Sequence, residues 1–121
     1  MKKLADGVWQ ADPGIVAWTE SGIAFLERAA PLTVKLRARI CAHKPEDQTH
    51  EMLIAFAFGS YNPMHSHEKP ESLLVLKGTL QVLFEDHVRI LGPLDYLHIP
   101  GSVLHQPTPL TDCVILEIAQ K

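Results

Sequence analysis

From Pro31 onward the chain is a series of short apolar runs, each ended by glycine, proline or acidic turn residues. One further segment, residues 33–41, alternates instead, with apolar side chains at even positions and mostly basic ones at odd positions. Some eight or nine short strands, with a turn about every 6–12 residues, predict an all-β chain built as a β-sandwich or closed barrel. The remaining predicted strands are residues 52–58, 73–76, 80–84, 88–91, 96–99, 103–106 and 114–118, with residues 107–109 interrupting the set.

One helix is predicted before these strands, over residues 19–30. Ile23, Leu26 and Ala30 fall at helical spacing, Thr19 or Ser21 suits the N-cap, and Pro31 ends the pattern. The first 16 residues show no sustained period and predict an irregular arm or a short edge strand. With 121 residues and no linker or repeat, the expected organisation is one domain: an arm and helix at 1–31 and a β-barrel at 32–119.

Charge and cysteine content exclude several classes of protein. The formal charge is −3 and the 11 lysines and arginines form no basic run, so a nucleic-acid partner is not expected. No signal peptide and no 18-residue apolar run is present, so no membrane partner is expected. Cys41 and Cys113 form no CxxC pair, which favours a reduced, cytoplasmic protein.

Four side chains have the spacing of a metal site. His65 and His67 are two residues apart, so in extended backbone both imidazoles point to the same face. Glu71 follows after a short connection that lets the next strand fold back beside them, and His105 would come from a distant strand. Imidazole and carboxylate groups together ligate divalent metals.

The histidine pair is weak on its own, because a chain with seven histidines has roughly 0.4 chance occurrences of HxH. The wider frame is specific: Gly59, His65, His67, Glu71 and Gly78 fit the pattern G-x5-HxH-x3-E-x6-G, a random match of about one in ten thousand. This pattern is the first motif of the cupin family, which the chain resembles from about residue 33 to residue 118. The resemblance implies a double-stranded β-helix, the cupin jelly-roll barrel, with a three-histidine, one-glutamate metal site.

The second cupin motif, G-x5-PxG-x2-H-x3-N, is matched only in part. Pro100 and His105 keep its spacing, but Leu94 and Ser102 occupy its two glycine positions and Pro109 its asparagine position. In the family those three positions shape turns and do not bind metal. The departures therefore bear on loop geometry more than on ligation.

A narrower resemblance is to the small cupin metalloproteins of the WbuC type. It rests on residues 37–43, 50–55 and 59–61 and on the end of the predicted helix at 27–30. That group has a proline directly before its HxH, where this chain has Met64. Its members are typically found with polysaccharide O-antigen biosynthesis genes.

The expected cofactor is one divalent transition metal ion, and the mixed ligand set suits Mn, Fe, Co, Ni or Zn without choosing among them. Four protein ligands leave room for exchangeable positions on a five- or six-coordinate ion, as a catalytic metal needs. The absence of cysteine near the four ligands disfavours a closed structural zinc site.

Other side chains are candidates for contact with a small-molecule ligand. Tyr61 has the same strand parity as His65 and His67, which suits a catalytic acid–base partner or, equally, a tyrosine packed in the core. Arg37, Arg39 and His43 share one face of the predicted strand 33–41. They suit substrate binding through a carboxylate or phosphate, or else an exposed charged face or a dimer contact.

Three functions fit these features. The first is a metal-dependent enzyme acting on a small polar metabolite, such as a carbohydrate or related acid. The alternatives are an iron-dependent dioxygenase and a non-catalytic sugar-binding or regulatory cupin. A homodimer is expected, because the 52–58 run and the N-terminal arm suit pairing through edge strands.

Overall fold

The chain folds into two β-sheets and one α-helix, and the computed structural model describes residues 1–121. The helix α1 spans Glu20–Ala29 and a 3-10 helix follows at Ala30–Leu32. The predicted all-β class with one short N-terminal helix is confirmed. The strands are β1 Lys2–Ala5, β2 Val8–Gln10, β3 Arg37–Cys41, β4 Thr49–Phe56, β5 Glu71–Lys77, β6 Leu80–Phe84, β7 Val88–Leu91, β8 Tyr96–Ile99, β9 His105–Pro109 and β10 Cys113–Gln120.

The larger sheet has seven strands in the order β1-β2-β3-β4-β10-β5-β8, and the smaller has three in the order β7-β6-β9. All neighbouring strands are antiparallel except β2 and β3. Side chains from both sheets form the main core, including Met52, Ile54, Val75, Val82 and Ile115. This core fills the space between the sheets, as expected for a barrel of two sheets packed face to face.

A second core lies between α1 and the outer face of the larger sheet. Leu26 of α1 is fully buried and packs with Ala38, Leu53, Ala55 and Val114. Strand β4 therefore contributes alternate side chains to the two cores, and this explains why its sequence is apolar without alternation. The 52–58 run is thus covered on both faces as predicted, except at Phe58, whose side chain is exposed.

The helix begins where the sequence predicts it. The Thr19 side chain accepts the backbone N–H of Gly22 at 3.4 Å, which satisfies one of the free donors of the first turn. The helix has ten residues and buries one face against the sheet. No helix of the protein has the length and apolar character needed to cross a bilayer.

The N-terminal arm contains a short edge strand, β1, as predicted, and a second strand, β2, that was not predicted. Strands β1 and β2 form a hairpin, and β2 pairs in parallel with β3. Strands of three and four residues are too short to produce a recognisable period, so the sequence pattern could not separate them from a loop. The predicted strand 33–41 begins only at Arg37, because Leu36 adopts a positive φ of 55° that breaks the extended backbone.

The prediction that residues 107–109 interrupt the strands is wrong, since Pro107 and Pro109 belong to β9. His105 exchanges backbone hydrogen bonds with His65, on the side of β9 away from β6. Pro107 and Pro109 have the same parity as His105, so their nitrogens also point away from β6. Proline is tolerated where no ladder bond requires an N–H.

Strand β4 lies in the interior of the larger sheet, between β3 and β10, and is hydrogen-bonded on both sides. The expectation that the 52–58 run supplies an edge for dimerisation is therefore wrong. The free edges of the larger sheet are β1 and β8.

Candidate metal centre

Two segments distant in sequence lie side by side where the barrel opens. The backbone N–H of His65 donates to the carbonyl of His105 at 3.0 Å, and His105 donates back to His65 at 2.9 Å. The N–H of Ser102 donates to the carbonyl of His67 at 2.6 Å. These three bonds hold the segment that carries His105 against the segment that carries His65 and His67.

Glu71 comes from a third direction, as the first residue of β5. It pairs with Ala119 of β10 and Ile99 of β8, and its side chain has the parity of Leu73 and Val75, which face the barrel interior. The ligating atoms of the four predicted metal residues lie within 4.8 Å of one another. The four residues differ in burial: Glu71 and His105 are buried, His65 is partly buried and His67 is exposed.

Backbone carbonyls orient two of the imidazoles. The Nδ1 atom of His65 lies 2.9 Å from the carbonyl of Pro63, and the Nδ1 atom of His105 lies 2.9 Å from the carbonyl of Val103. A carbonyl only accepts, so each Nδ1 carries the proton, and Nε2 is the atom presented to the cluster. Such hydrogen bonds fix the tautomer and ring orientation of metal-ligating histidines.

The innermost contact is between Glu71 and His105, whose Oε1 and Nε2 atoms lie 2.5 Å apart. Burial alone would raise the pKa of Glu71, but the hydrogen bond from His105 and the nearby histidine charges bring it below its ordinary value. Burial alone would lower the pKa of His105, but its bonds to Glu71 and Val103 raise it. Glu71 and His105 thus each favour the charged form of the other at the buried end of the cluster.

The donor set fits one divalent transition metal ion. Ligands about 2.1 Å from an ion lie up to about 4.2 Å apart when they face each other, close to the spread of these four atoms. His67 Nε2 lies 3.8 Å from Glu71 Oε2, already within that range. His65, His67, Glu71 and His105 would hold the ion, which would supply Lewis acidity at the cavity.

A cavity of about 740 Å³ opens onto the cluster. His65, His67 and Glu71 line it on one side, and Arg37 and Arg39 on the other. The two arginines face inward because they alternate with Ala38 and Ile40, which pack under α1. The structure therefore places Arg37 and Arg39 of the predicted arginine face on the same cavity as His65, His67 and Glu71.

Glu117 is a further residue of the site that was not predicted from the sequence. It has the inward parity of Cys113 and Ile115 on β10, and it lines both the large cavity and a neighbouring one of about 450 Å³. Burial raises the pKa of its carboxyl to about 7, with a further increase from Glu71 and opposing effects from Arg39 and His105. The available signal was an acidic residue at an inward position of a predicted strand that is otherwise apolar.

Tyr61 does not line either cavity, and its side chain is 74% exposed. The parity argument fails because no regular strand forms between Gly59 and Pro70, so alternation does not carry from Tyr61 to His65. Asn62 is the buried side chain of this segment. It accepts a hydrogen bond from Nη1 of Arg37.

His43 is also outside both cavities, because β3 ends at Cys41 and the alternation of Arg37 and Arg39 does not extend to it. Its ring stacks on His50 with centroids 3.9 Å apart, and its Nδ1 lies 3.1 Å from the backbone N–H of Glu51. Burial holds the pKa of His43 below its ordinary value. A neutral imidazole in this position is poorly suited to the anion binding predicted for it.

A protein-family model described as "Domain of unknown function (DUF6016)" matches residues 19–91. The chain belongs to this family. The matched region runs from the helix cap to the end of β7 and includes His65, His67 and Glu71, but not His105. No curated protein sequence matches the chain.

Solved structures resemble this member of the family over about two thirds of its length. A cupin superfamily protein from Desulfitobacterium hafniense is 21% identical, with a TM-score of 0.65 over 69% of this chain and 76% of that one. KdgF from Halomonas sp. is 25% identical, with a TM-score of 0.59 over 70% and 81%. The DMSP lyase DddQ from Ruegeria pomeroyi is 24% identical, with a TM-score of 0.62 over 70% and 47%. The predicted cupin jelly-roll fold is confirmed.

Proposed function

We propose that this protein is a cupin metalloprotein that binds one divalent transition metal ion through His65, His67, Glu71 and His105. We further propose that it is a metal-dependent enzyme acting on a small polar metabolite, such as a carbohydrate or sugar derivative. The observation that carries this proposal is the convergence of three imidazoles and a carboxylate, three of which (His65, His67 and Glu71) line an open cavity.

An open cavity favours a catalytic over a structural role for the ion. Structural metal sites are closed by their protein ligands, whereas catalytic sites keep a position for substrate or water. Here His67 is exposed and, with His65 and Glu71, lines a cavity of about 740 Å³. The volume lies in the range of small-molecule sites, about 300–1,000 Å³.

The composition of the cavity wall favours a polar ligand. Only five of its 17 lining residues are hydrophobic, fewer than is typical of sites for apolar ligands. DddQ, whose name is that of a lyase, supports an enzymatic role for a barrel of this fold. The WbuC-like segments at 37–43, 50–55 and 59–61 support a place in polysaccharide biosynthesis.

We also propose a single domain, a cytoplasmic location and a homodimer. Burial of Cys41 and Cys113 as free thiols is compatible with a reducing compartment. The free edges β1 and β8 of the larger sheet are available for pairing between copies. Light scattering that gives twice the chain mass would support the dimer, and a monomer would contradict it.

Metal reconstitution tests the enzymatic proposal. Chelator-treated protein is loaded separately with Mn, Fe, Co, Ni or Zn and incubated with sugars, uronic acids and sugar phosphates, and conversion is followed by proton NMR. We expect at least one loaded form to convert a member of the panel and the double variant His65→Ala/His67→Ala to convert none. Binding without conversion would favour the non-catalytic sugar-binding cupin. Conversion only with iron and with O2 uptake would identify the dioxygenase.

A further inference from the structure

Two guanidinium groups face the cavity without forming a salt bridge, although Arg39 is near enough to Glu117 to oppose the rise in the pKa of that carboxyl. Arg37 and Arg39 both line it, and no carboxylate oxygen lies within 4.0 Å of either side chain. Arg37 is partly buried, where an unpaired charge is costly, whereas Arg39 is exposed at the edge of the same cavity. A negatively charged ligand in this cavity can therefore supply the partner that the two arginines lack.

Neutral groups fix the position of Arg37. Its Nη1 donates to Oδ1 of Asn62, whose side chain is 4% exposed. Asn62 is itself held, because its Nδ2 donates to the carbonyl of Pro107 at 3.4 Å and its own carbonyl accepts from Nε2 of Gln106 at 2.8 Å. The guanidinium is thus oriented by an amide that leaves its charge uncompensated. Burial, together with the charge of Arg39, lowers the pKa of Arg37.

The charge balance of the cavity changes when a metal ion binds. Three basic side chains and three acidic ones line the cavity, so their formal charges cancel. Two of the acids have partners, because Asp6 accepts the backbone N–H of Val34 at 3.0 Å and Glu71 belongs to the metal cluster. A divalent ion would add two positive charges and leave the loaded cavity with a cationic excess. The six residues are Lys35, Arg37, Arg39, Asp6, Glu71 and Glu117.

We propose that Arg37 and Arg39 form an anion subsite that holds a carboxylate or phosphate of the substrate across the cavity from His65, His67 and Glu71. This inference rests on the proposed function, because the same cavity must hold the ion and the ligand. It restricts the substrate class from small polar metabolites to small anionic ones. A planar guanidinium forms two parallel hydrogen bonds with a carboxylate or phosphate, so the pair suits either group.

Calorimetric titration of zinc-loaded protein tests the subsite with three probes that share one ring: glucose, glucuronate and glucose 6-phosphate. We expect one or both anions to bind at least about tenfold more tightly than glucose, since a charged hydrogen bond adds this much or more. The stronger of the two anions identifies the group that the subsite recognises. Equal binding of all three probes, or no binding of either anion, would overturn the proposal.

Arg37→Gln and Arg39→Gln are the matching variants, with Arg89→Gln on the exposed strand β7 as the control. We expect each cavity variant to weaken anion binding about tenfold or more and to leave glucose binding unchanged. The control should match the wild type. Arg39 is exposed, so Arg39→Gln keeps the test decisive if Arg37→Gln fails to fold. Anion affinities within twofold of wild type in folded Arg39→Gln and Arg37→Gln would contradict the subsite.

The same titrations on metal-free protein separate this inference from the proposed function. If the protein binds no metal even after metal loading, the proposed function fails, but an arginine-dependent preference for anions can still be measured. If metal binds and the arginine variants bind anions normally, the proposed function survives and the subsite does not.

Discussion

Two segments bring ligands to the same cluster but differ in the residue types that adopt a positive φ. The first contains Gly59 and Gly78, and the second contains Leu94 and Ser102. In the first, both glycines have positive φ, 94° and 79°. In the second, Leu94 and Ser102 occupy the positions where the cupin pattern has glycine, and they too have positive φ, 70° and 65°. The fold therefore requires the left-handed conformation at all four positions, whether or not glycine is present.

Tertiary hydrogen bonds impose this conformation on the second segment. The N–H of Leu94 donates to the carbonyl of Val75 at 2.7 Å, and that of Ser102 to the carbonyl of His67 at 2.6 Å. Glycine is sterically required at Gly78, one of these four positions, and at Gly101. A Cβ on Gly78 would lie 2.0 Å from the carbonyl oxygen of Asp112, and a Cβ on Gly101 would lie 2.2 Å from that of Glu68. A residue other than glycine is therefore tolerated where the motif needs glycine only for its positive φ and not for close contact with neighbouring backbone.

Gly78→Ala should have the largest effect on stability among single changes in these segments. The clash with Asp112 adds to the cost of a positive φ, so we expect a loss of about 3 kcal/mol or more in the free energy of unfolding. Gly14→Ala is the matched control, since Gly14 has a φ of 102° but no atom within 4 Å of a Cβ. It should lose only about 1 kcal/mol. Equal losses in urea unfolding would contradict the steric account.

Gly101→Ala should act mainly on metal binding. The added Cβ displaces the Glu68 carbonyl, in the connection between His67 and Glu71. Displacement of a supporting group typically weakens metal affinity about 10–100-fold. Competition titration with a metal-binding dye measures this, again with Gly14→Ala as the control. Unchanged affinity in folded Gly101→Ala would show that the contact does not position the ligands.

Leu94→Gly and Ser102→Gly should each stabilise the protein slightly. Replacement by glycine removes about 1 kcal/mol of strain from the left-handed conformation. This exceeds the free-energy cost of the entropy that glycine adds to the unfolded chain, so the free energy of unfolding should rise by about 0.5 kcal/mol. Leu94 is 77% exposed, so its removal loses little packing. Leu110→Gly, at a residue without positive φ, should destabilise instead. Thermal unfolding shows whether each variant gains or loses stability, and a loss of stability in both motif variants would contradict the explanation.

The smallest effect concerns the two buried thiols. Burial raises the pKa of Cys113 to about 12 and also raises that of Cys41, despite an opposing effect of Arg39. The thiolate is the reactive form, so at pH 8 about one Cys113 in ten thousand would be ionised and labelling should require unfolding. In Gly78→Ala, whose added Cβ would lie 2.9 Å from Cys113 Cα, labelling of Cys113 should accelerate. Rapid labelling of the wild type would contradict this.

Prediction from sequence was accurate where local pattern determined the structure. The bounds of β6, β7 and β8 agree with apolar runs closed by turn residues, and Thr19 begins α1 as its capping chemistry predicts. The first-motif residues converge with His105 as their spacing indicates. In each case the signal lay within a few neighbouring residues or in a fixed spacing.

The failures arose where tertiary context decided the outcome. Pro107 and Pro109 resemble strand breakers, but they occupy positions of β9 that need no N–H toward β6. Tyr61 lies in a segment that forms no strand, so alternation does not apply to it. Glu117 has a local signal, an acidic residue among apolar ones, but the cavity that it lines is formed largely by residues of other strands. Contacts between strands distant in sequence have no signature within either strand alone.

Metal content tests the central claim most directly. Protein purified without added metal or chelator is analysed by inductively coupled plasma mass spectrometry, alongside His65→Ala/His67→Ala and a control, His87→Ala. His87 is paired with Asp86 on the surface, outside the cluster. We predict about one equivalent of a divalent transition metal in the wild type and the control, and none in the folded double variant. One equivalent retained by the double variant, or none in the wild type after metal loading, would contradict the assignment of the site.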